Sequence, residues 1–305
     1  MTDEVRSRLA SLPQFSVIAP SSAMAYKGSG KAPQTIAKEL GVRYLLTGTV
    51  RWQKGESGAN RIRVAPELIE MPSGGTPVTR WQESFDGVVE DVFRVQGEIA
   101  TKVAAALKIT LGAQEQQRLT TAPTTNRAAH EAYLRGEKIM RAGSWDGPAV
   151  PRAIGHYEDA VGLDASFATA WARLSYTRSN LYDSGMPTQA LAASALAAAD
   201  QSIQLAPGLA EGRLAMSSYF LWVEKDNARA LEQASERLAA EPGNAELPMA
   251  AAAAERGLGR WDQAVAHLEQ AWPLDPRSGL TAGRVGAATS IDGATDRRWR
   301  SSIPP

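Results

Sequence analysis

The strongest constraint on the fold is a turn that recurs in the second half of the chain. Its triplets follow one another after 42, 35 and 34 residues: LDA (163–165), LAP (205–207), AEP (240–242) and LDP (274–276). An alanine stands twelve residues before the last member of each triplet: Ala153, Ala195, Ala230 and Ala264. A small residue lets two helices pack closely, and a proline ends the second helix because it cannot continue the hydrogen-bond ladder. The pattern therefore predicts a series of helical hairpins.

The spacing of these hairpins indicates a particular kind of repeat. A period of about 34 residues with an alanine-to-proline spacing of this kind is typical of tetratricopeptide repeats. Trp171 and Leu174 fit the first helix of one repeat, and Met216 fits that of the next. The 42-residue interval is eight longer than the period, and we place the extra residues in YDSGMPT (182–188). Residues 127–276 are therefore predicted to form an all-α solenoid of such repeats.

The first 110 residues mix helical and strand patterns instead. FSVIA (15–19) is short, apolar and rich in β-branched residues, so it is interpreted as a strand buried on both faces. Turn-forming stretches separate the later strands. The predicted order is α-β-α-β-β-β-α: a helix from Thr2 through Leu12, the strand 15–19, a helix from Pro33 to Leu40, strands near 43–53, 61–71 and 78–86, and a helix from about 88 to 108. The predicted fold class is α/β, with a mixed sheet that contains an antiparallel meander and has flanking helices.

The composition excludes several classes of site. The chain has 33 basic and 33 acidic residues, so it offers no global electrostatic attraction to nucleic acid or membranes. It has no cysteine, which excludes disulfides, thiolate metal sites and cysteine catalysis. No apolar run approaches the ~20 residues of a transmembrane helix, and the amphipathic N-terminus lacks a secretory apolar core. The sequence predicts a soluble chain with no export signal or membrane segment of its own.

Two motifs suggest chemistry, and each lacks a required residue. GSGK (28–31) would need glycine and Ser or Thr where Ala25 and Ala32 stand, so a flexible loop is the preferred interpretation. His130 and Glu131 begin a zinc-protease motif, but Leu134 takes the place of its second histidine. The remaining histidines, His156 and His267, fall in other repeats and are expected to be solvated or partly buried on helices. The sequence predicts no catalytic, cofactor-binding or metal-binding residues, and no cofactor.

A hairpin at residues 43–70 raises the question of anion binding, because arginines crowd its loop. In a strand, Arg61 and Arg63 share one face while Ile62 and Val64 share the other. The preceding strand alternates in the same way, with Tyr44, Leu46 and Val50 on its apolar face. One basic and one apolar face is typical of a half-exposed antiparallel sheet. Aromatic residues of the kind that single-strand binders use are limited to Trp52 and Trp81, so nucleic acid is not the expected partner.

These residues together resemble a known family. The segments FSVIAPSSAMAYKG, IAKELGVRYLLTGTVRW, RIRVAPELIE and VEDVFRVQGEIATKVAAAL follow one another as in the TolB amino-terminal-like domain, which precedes tetratricopeptide repeats in bacterial signalling proteins. The matching positions are Tyr26-Lys27-Gly28, Glu39-Leu40-Gly41-Val42, Leu68-Ile69, Trp81, Phe93 and Gln96. The resemblance covers about residues 1–275. It implies a TolB amino-terminal-like domain at 1–112, a linker at 113–126, the repeats at 127–276 and an irregular tail at 277–305.

The chain departs from the family pattern at both ends. Family members have a strand resembling IAVLPF before the first helix, and an amphipathic helix would follow Pro276. Neither is found in this sequence. We therefore expect that both ends reflect truncation or misassembly of a longer gene, or a changed reading frame at the C-terminus.

The resemblance also implies a role in signalling. In such proteins the activity lies upstream, in a serine/threonine kinase, an adenylate cyclase or a winged-helix DNA-binding domain. TRWQESFD and VRWQK are most similar to kinase-linked members, in which a membrane helix would place this region outside the cytoplasm. The expected function is a non-catalytic sensor or interaction region that binds a protein or peptide through its solenoid. The alternatives are a kinase or cyclase named after its full-length relatives and the output region of a winged-helix regulator.

Overall fold

A computed structural model describes residues 2–54, 60–72, 75–88, 92–141 and 148–277. The chain divides into two compact units. The first comprises the described residues of Met1–Ala122, Ala240–Ala245 and Glu269–Pro305, and the second comprises those of Pro123–Ala239 and Glu246–Leu268. The predicted domain ranges remain predictions, although these units assign 240–245 and the segment from Glu269 to the first unit.

The first unit contains five helices and four strands among the described residues of 2–122. In chain order they are α1 (Thr2–Ala10), α2 (Pro20–Met24), α3 (Pro33–Leu40), β1 (Tyr44–Lys54), β2 (Asn60–Glu70), β3 (Val78–Gln82), β4 (Phe85–Val88), α4 (Val92–Ala106) and α5 (Ala113–Thr120). Gly41 ends α3 in the left-handed conformation, with φ of 66°, as the sequence predicts. α5 lies within the range predicted as a linker, and its Leu119 is completely buried.

The sheet is an antiparallel meander, which confirms that part of the prediction. β2 pairs with β1 along its whole length, from Tyr44 opposite Glu70 to Lys54 opposite Asn60. On its other side β2 pairs with both β3 and β4. The single strand predicted at 78–86 is therefore wrong, because the chain leaves the ladder at Glu83 and Ser84.

The break in this strand has a cause in β2. The carbonyl of Pro66 faces the break and accepts a hydrogen bond from the Glu83 amide at 3.5 Å. In an antiparallel ladder a residue's N–H and C=O point to the same neighbouring strand. Proline has no N–H, so β2 cannot donate a hydrogen bond at this position. The strand opposite Pro66 is consequently interrupted.

The strand predicted at Phe15–Ala19 is absent, and the described sheet is purely antiparallel rather than mixed. This segment has no ladder partner; instead the Ala19 amide donates to the Leu274 carbonyl at 2.6 Å. Ser16 is exposed and only Ala19 of the five residues is fully buried. Because an isolated extended segment gains no cross-strand hydrogen bonds, apolar β-branched composition alone did not produce a strand here.

The core of the first unit lies between the sheet and helices α1, α4 and α5. Apolar residues at helical spacing in α1 and α4 meet the apolar face of β2, and Phe15 and Val17 pack at the margin. The guanidinium of Arg8 is buried with them and donates to the Leu119 carbonyl at the end of α5. The buried members of this core are Val5, Leu9, Leu12, Ile62, Val64, Leu68, Phe85, Val95, Ile99, Ala100, Val103 and Leu119.

The second unit is helical throughout its described part. Its elements are α6 (Arg127–Arg141), α7 (Ala149–Leu163), α8 (Ala168–Asp183), α9 (Gln189–Leu205), α10 (Ala210–Tyr219), a π-helix (Phe220–Glu224), α11 (Asn227–Leu238), α12 (Glu246–Gly257) and most of α13 (Trp261–Ala271). Consecutive helices from α6 to α12 pack on each other, and α10 also contacts α8 and α12. The part of YDSGMPT after Asp183 connects α8 to α9.

Three of the four repeat alanines, Ala153, Ala195 and Ala230, pack in the hydrophobic clusters between helices. Ala153, Ala195, Ala230 and Ala264 have no exposed surface. The carbonyl of Ala230 also accepts a hydrogen bond from the buried Ser217 hydroxyl at 2.8 Å, which joins α11 to α10. A larger side chain at these positions would have to displace a neighbouring helix.

Candidate interaction surface

Helices α8, α10 and α12 line a common cleft. On α8 and on α10 the first and last lining residues are four apart, so they lie on one face of the helix. The seven lining residues are Ala172, Arg173 and Tyr176 from α8, Glu211, Leu214 and Ala215 from α10, and Glu246 from α12. We call this surface the α8–α10–α12 cleft.

The size of the cleft limits what it can bind. Its cavity volume is about 10 Å³, which is close to the space that one water needs. Small-molecule sites usually enclose about 300–1,000 Å³. A larger depression of about 440 Å³ lies on the open surface between α6 and α7, where it is lined by residues that include Glu131, Arg135 and Leu163. The cleft therefore suits contact along a surface rather than enclosure of a small molecule.

A buried polar network fixes one wall of the cleft. Glu137 of α6 is nearly buried, and its Oε1 accepts a hydrogen bond from the Tyr157 hydroxyl of α7 at 2.8 Å. The same oxygen lies 3.2 Å from Nε of Arg173 on α8, and Arg141 contributes an ion pair to Oε2 at 3.3 Å. Arg173 also reaches Glu246 of α12 at 3.8 Å. The network thus joins α6 and α7 to α8 and, through Arg173, to α12.

Burial and charge determine the protonation of this network. Burial raises the pKa of the Tyr157 hydroxyl, and the nearby Glu137 carboxylate raises it further. Glu137 is also the main cause of the raised pKa of Arg173. At neutral pH the Tyr157 hydroxyl therefore stays protonated and donates a hydrogen bond to Glu137. Arg173 keeps its positive charge between two carboxylates.

The cleft combines carboxylates with aromatic surface. Glu211 and Glu246 line it beside a single arginine. Tyr176 makes an edge-to-face contact with Trp222, with ring centroids 5.1 Å apart. Trp222 belongs to the π-helix that extends α10, and such π-helical turns are frequent at functional sites.

The sequence analysis did not identify these residues, although one signal was available. Glu211 and Glu246 each stand four residues after the last member of their turn triplet. Both lie in the first turn of their helices, where the helix dipole favours a carboxylate. Repetition at the same place in two repeats would have marked the surface, but the dipole explains each residue singly.

The motifs considered in the sequence occupy ordinary structural positions. GSGK forms a loop in which Gly28 and Gly30 have positive φ, and the ammonium of Lys31 binds Glu39 at 2.7 Å. Tyr26 contributes its ring to Lys31 at 5.5 Å from the centroid and its hydroxyl to Glu39. The loop is therefore held to α3 through Glu39, to which Arg277 also donates.

The three histidines lie apart on different helices. Each is partly buried, as predicted for His156 and His267, and His267 contacts Glu255 at 2.8 Å. His130 stacks on Tyr133, and burial lowers its pKa to about 4. Among the described residues no group of three or more His, Asp or Glu side chains is arranged to hold a metal ion.

The hairpin follows the predicted alternation on β2 and only part of it on β1. Ile62 and Val64 are buried, whereas Arg61 and Arg63 are exposed and Arg63 binds Asp86 at 2.6 Å. Val50 was predicted on the apolar face, yet 40% of its surface is exposed. The side chain of Trp52 lies outside the described residues.

None of the described helices has the length and apolar character needed to cross a bilayer.

Comparison with known proteins gives one informative relationship. No family model matches the chain. The chain is 32% identical over 140 residues to a protein of Rhizobium meliloti (strain 1021) named "Putative adenylate cyclase 3". The match covers 46% of this chain and 22% of that protein. The chain therefore shares a region with a protein named as a signalling enzyme, and it spans only about a fifth of that protein's length.

Proposed function

We propose that the chain is a non-catalytic protein-interaction region of a bacterial signalling protein, in which a TolB amino-terminal-like unit precedes tetratricopeptide-type repeats. The observation that carries the proposal is the α8–α10–α12 cleft, because the first helices of three successive hairpins line it together. Stacked helical repeats use such extended surfaces to bind other proteins. The cyclase-named relative supports the adenylate cyclase class among the parents that the sequence pattern allows.

The chemistry of the cleft indicates the kind of peptide it binds. Glu211 and Glu246 outnumber the single cation Arg173, which is already paired with carboxylates. Tyr176 and Trp222 add aromatic surface at the same place. An extended peptide with a basic residue next to an apolar one matches both features.

Selection of displayed random peptides on the purified chain tests this assignment. We expect enrichment of peptides that pair Lys or Arg with an apolar residue, and at least tenfold weaker binding of a selected peptide by Tyr176→Ala and by Glu211→Gln/Glu246→Gln. Glu232→Gln on the exposed surface of α11 is the matched control and should bind as the wild type does. Equal affinity of all variants would contradict the placement of the site.

The main alternative is that this chain is itself a cyclase. Incubation of the chain with ATP and Mg²⁺ or Mn²⁺, followed by measurement of cyclic AMP, distinguishes the two proposals. We expect no cyclic AMP above that of a heat-denatured sample. Formation of cyclic AMP in proportion to the chain would replace the interaction proposal with an enzymatic one.

Direct binding of nucleic acid by this chain would depend on the hairpin, whereas the winged-helix alternative places the DNA-binding domain upstream. Arg51 lies directly opposite Arg63 in the β1–β2 register, and Asp86 pairs with Arg63 on the other side. Since the β alternation accounts for these arginines, we expect no DNA affinity to depend on them. DNA binding that falls steeply with salt and is lost in an Arg51→Gln/Arg61→Gln/Arg63→Gln variant would show that the hairpin binds nucleic acid.

A further inference from the structure

The two edges of the sheet differ in how well they exclude another strand. One edge consists of the short strands β3 and β4, which are separated at Glu83 and Ser84 and carry the charged residues Arg80 and Asp86. The other edge is β1, which runs for eleven residues without a break. Its stretch Tyr44–Val50 contains neither charge nor proline. Natural sheets usually protect an edge with short strands, charges, prolines or bulges, and β1 has none of these there.

The outer side of β1 is open among the described residues. Within that part of the chain, only β2 makes backbone hydrogen bonds to Tyr44–Val50. Val50 is directly paired with Val64, yet Val64 is 4% exposed and Val50 is 40% exposed. The apolar core of the first unit thus covers Val64 of β2 and includes Tyr44 and Leu46 of β1, but it leaves Val50 uncovered.

We propose that β1 pairs antiparallel with β1 of a second copy of this chain, so that the two sheets become continuous. A twofold axis perpendicular to the sheet keeps both apolar faces on the same side. A register centred on Gly48 places Val50 of one copy opposite Leu46 of the other. It also places Thr47 opposite Thr49.

The charge pattern of the strand favours this occupant. The neutral stretch is bounded by Arg43 and Arg51. Centring the pair on Thr47 would put these arginines opposite each other, and like charges directly opposite are destabilising. Centring it on Gly48 puts Arg51 opposite Leu45 instead. Because a single added strand pair is a small interface, the association should be reversible and dependent on concentration.

Sedimentation velocity over a range of concentrations tests the proposal with a matched pair of variants. Val78 of β3 is 42% exposed, almost the same as Val50, but it lies at the protected edge. We expect the wild type to dimerise reversibly, Val50→Lys to weaken the dimer at least tenfold, and Val78→Lys to leave it unchanged. Thermal melts followed by circular dichroism verify that both variants fold.

Disulfide trapping tests the register, since the natural chain has no cysteine. The double variant Thr47→Cys/Thr49→Cys should form a linked dimer under mild oxidation, and Thr47→Cys alone should link far more slowly. A chain that stays monomeric at all concentrations overturns the proposal. So does a dimer that survives Val50→Lys or dissociates equally in Val78→Lys. Strong protection, in a monomer, of those Thr47–Val50 amides that do not donate to β2 would show that another segment covers the edge, which also excludes the proposal.

Discussion

The two units differ in how far apart in the sequence their stabilising contacts lie. In the first unit, Asp275 accepts hydrogen bonds from the hydroxyls of Ser21 and Ser22, more than 250 residues away in sequence. Glu70, which is 2% exposed, joins Arg43 and Arg80 across three strands. The second unit depends mainly on contacts between helices that are neighbours in sequence. The first unit therefore requires distant segments to meet, whereas the second repeats one local solution.

This difference predicts different sensitivities. Close helix packing leaves no room for added volume, so the second unit should respond most to larger side chains at its alanines. The first unit contains a segment with few backbone hydrogen bonds, so it should open locally at lower free energy. Four measurements test this difference.

The largest effect is expected from enlarging the repeat alanines. Ala230→Leu and Ala264→Leu each insert three carbon atoms at a fully buried position, so we expect the free energy of unfolding to fall by about 1–3 kcal/mol. Glu232→Gln, on an exposed position of the same helix as Ala230, should change it by less than about 0.5 kcal/mol. Chemical denaturation measures both. Equal stability of the two classes of variant would remove the close-packing explanation.

A smaller effect with an internal control comes from two helical glycines. A Cβ on Gly136 would lie 2.6 Å from the ring of Tyr157, which is buried and bound to Glu137. Gly136→Ala should therefore destabilise the unit by about 1–2 kcal/mol, because the ring cannot move freely. A Cβ on Gly155 would meet no atom within 4 Å, so Gly155→Ala should stabilise by about 0.5–1 kcal/mol through helix propensity. Effects of the same sign in thermal melts would contradict this geometry.

A pH effect of about 1 kcal/mol should come from His130. Burial lowers the pKa of His130 to about 4 in the folded chain, below its unfolded value of about 6.5. The folded state thus binds fewer protons, so this contribution to stability is present above pH 6.5 and is lost as the pH falls toward 4. Between pH 7 and 5 this pKa difference corresponds to about 1.8 kcal/mol. Because His130 is only partly buried, solvent screening should reduce the loss, relative to His130→Asn, to about 1 kcal/mol. Parallel pH curves for the two proteins would show that His130 is not responsible.

The last measurement, with the smallest expected effect, is amide hydrogen exchange of the unmodified chain. Phe15–Ala19 has no ladder partner, whereas the residues of α9 are in a continuous helix. Hydrogen exchange followed by mass spectrometry should show faster exchange at 15–19 than in α9 and the other helices between Ala190 and Leu274. If 15–19 proved the best-protected segment of the chain, the first unit would not be the more weakly held of the two.

Elements that are determined by residues within their own segment could be predicted from the sequence. Turn residues and apolar periodicity predict the helices of the second unit, the end of α3 at Gly41 and the meander of β1 and β2. The buried alanines followed from one fixed spacing. The tetratricopeptide and TolB amino-terminal-like assignments remain proposals, since the match to the Rhizobium meliloti protein supports only a region shared with a protein named as a cyclase.

The elements that the sequence did not predict correctly depended on distant partners. Pro66 of β2 interrupts the strand opposite it, and that effect appears only once the register brings Pro66 against Glu83. The candidate site shows the same limit. Nothing in the sequence distinguishes Arg173 from an ordinary surface arginine. Only the packing of α6, α8 and α12 places it between Glu137 and Glu246.

Residue type and spacing were enough to predict the helices of the second unit, the hairpin, the alternation along β2 and the absence of cysteine chemistry. These depend on residue type and spacing within about one element, where backbone geometry dictates which side chains share a face. Tertiary structure alone decided that FSVIA would not be a strand, because a strand exists only where another backbone satisfies its hydrogen bonds. It likewise decided that Val50 would be exposed while its partner Val64 is buried, since the core includes Val64 of β2 but does not extend along β1 to Val50.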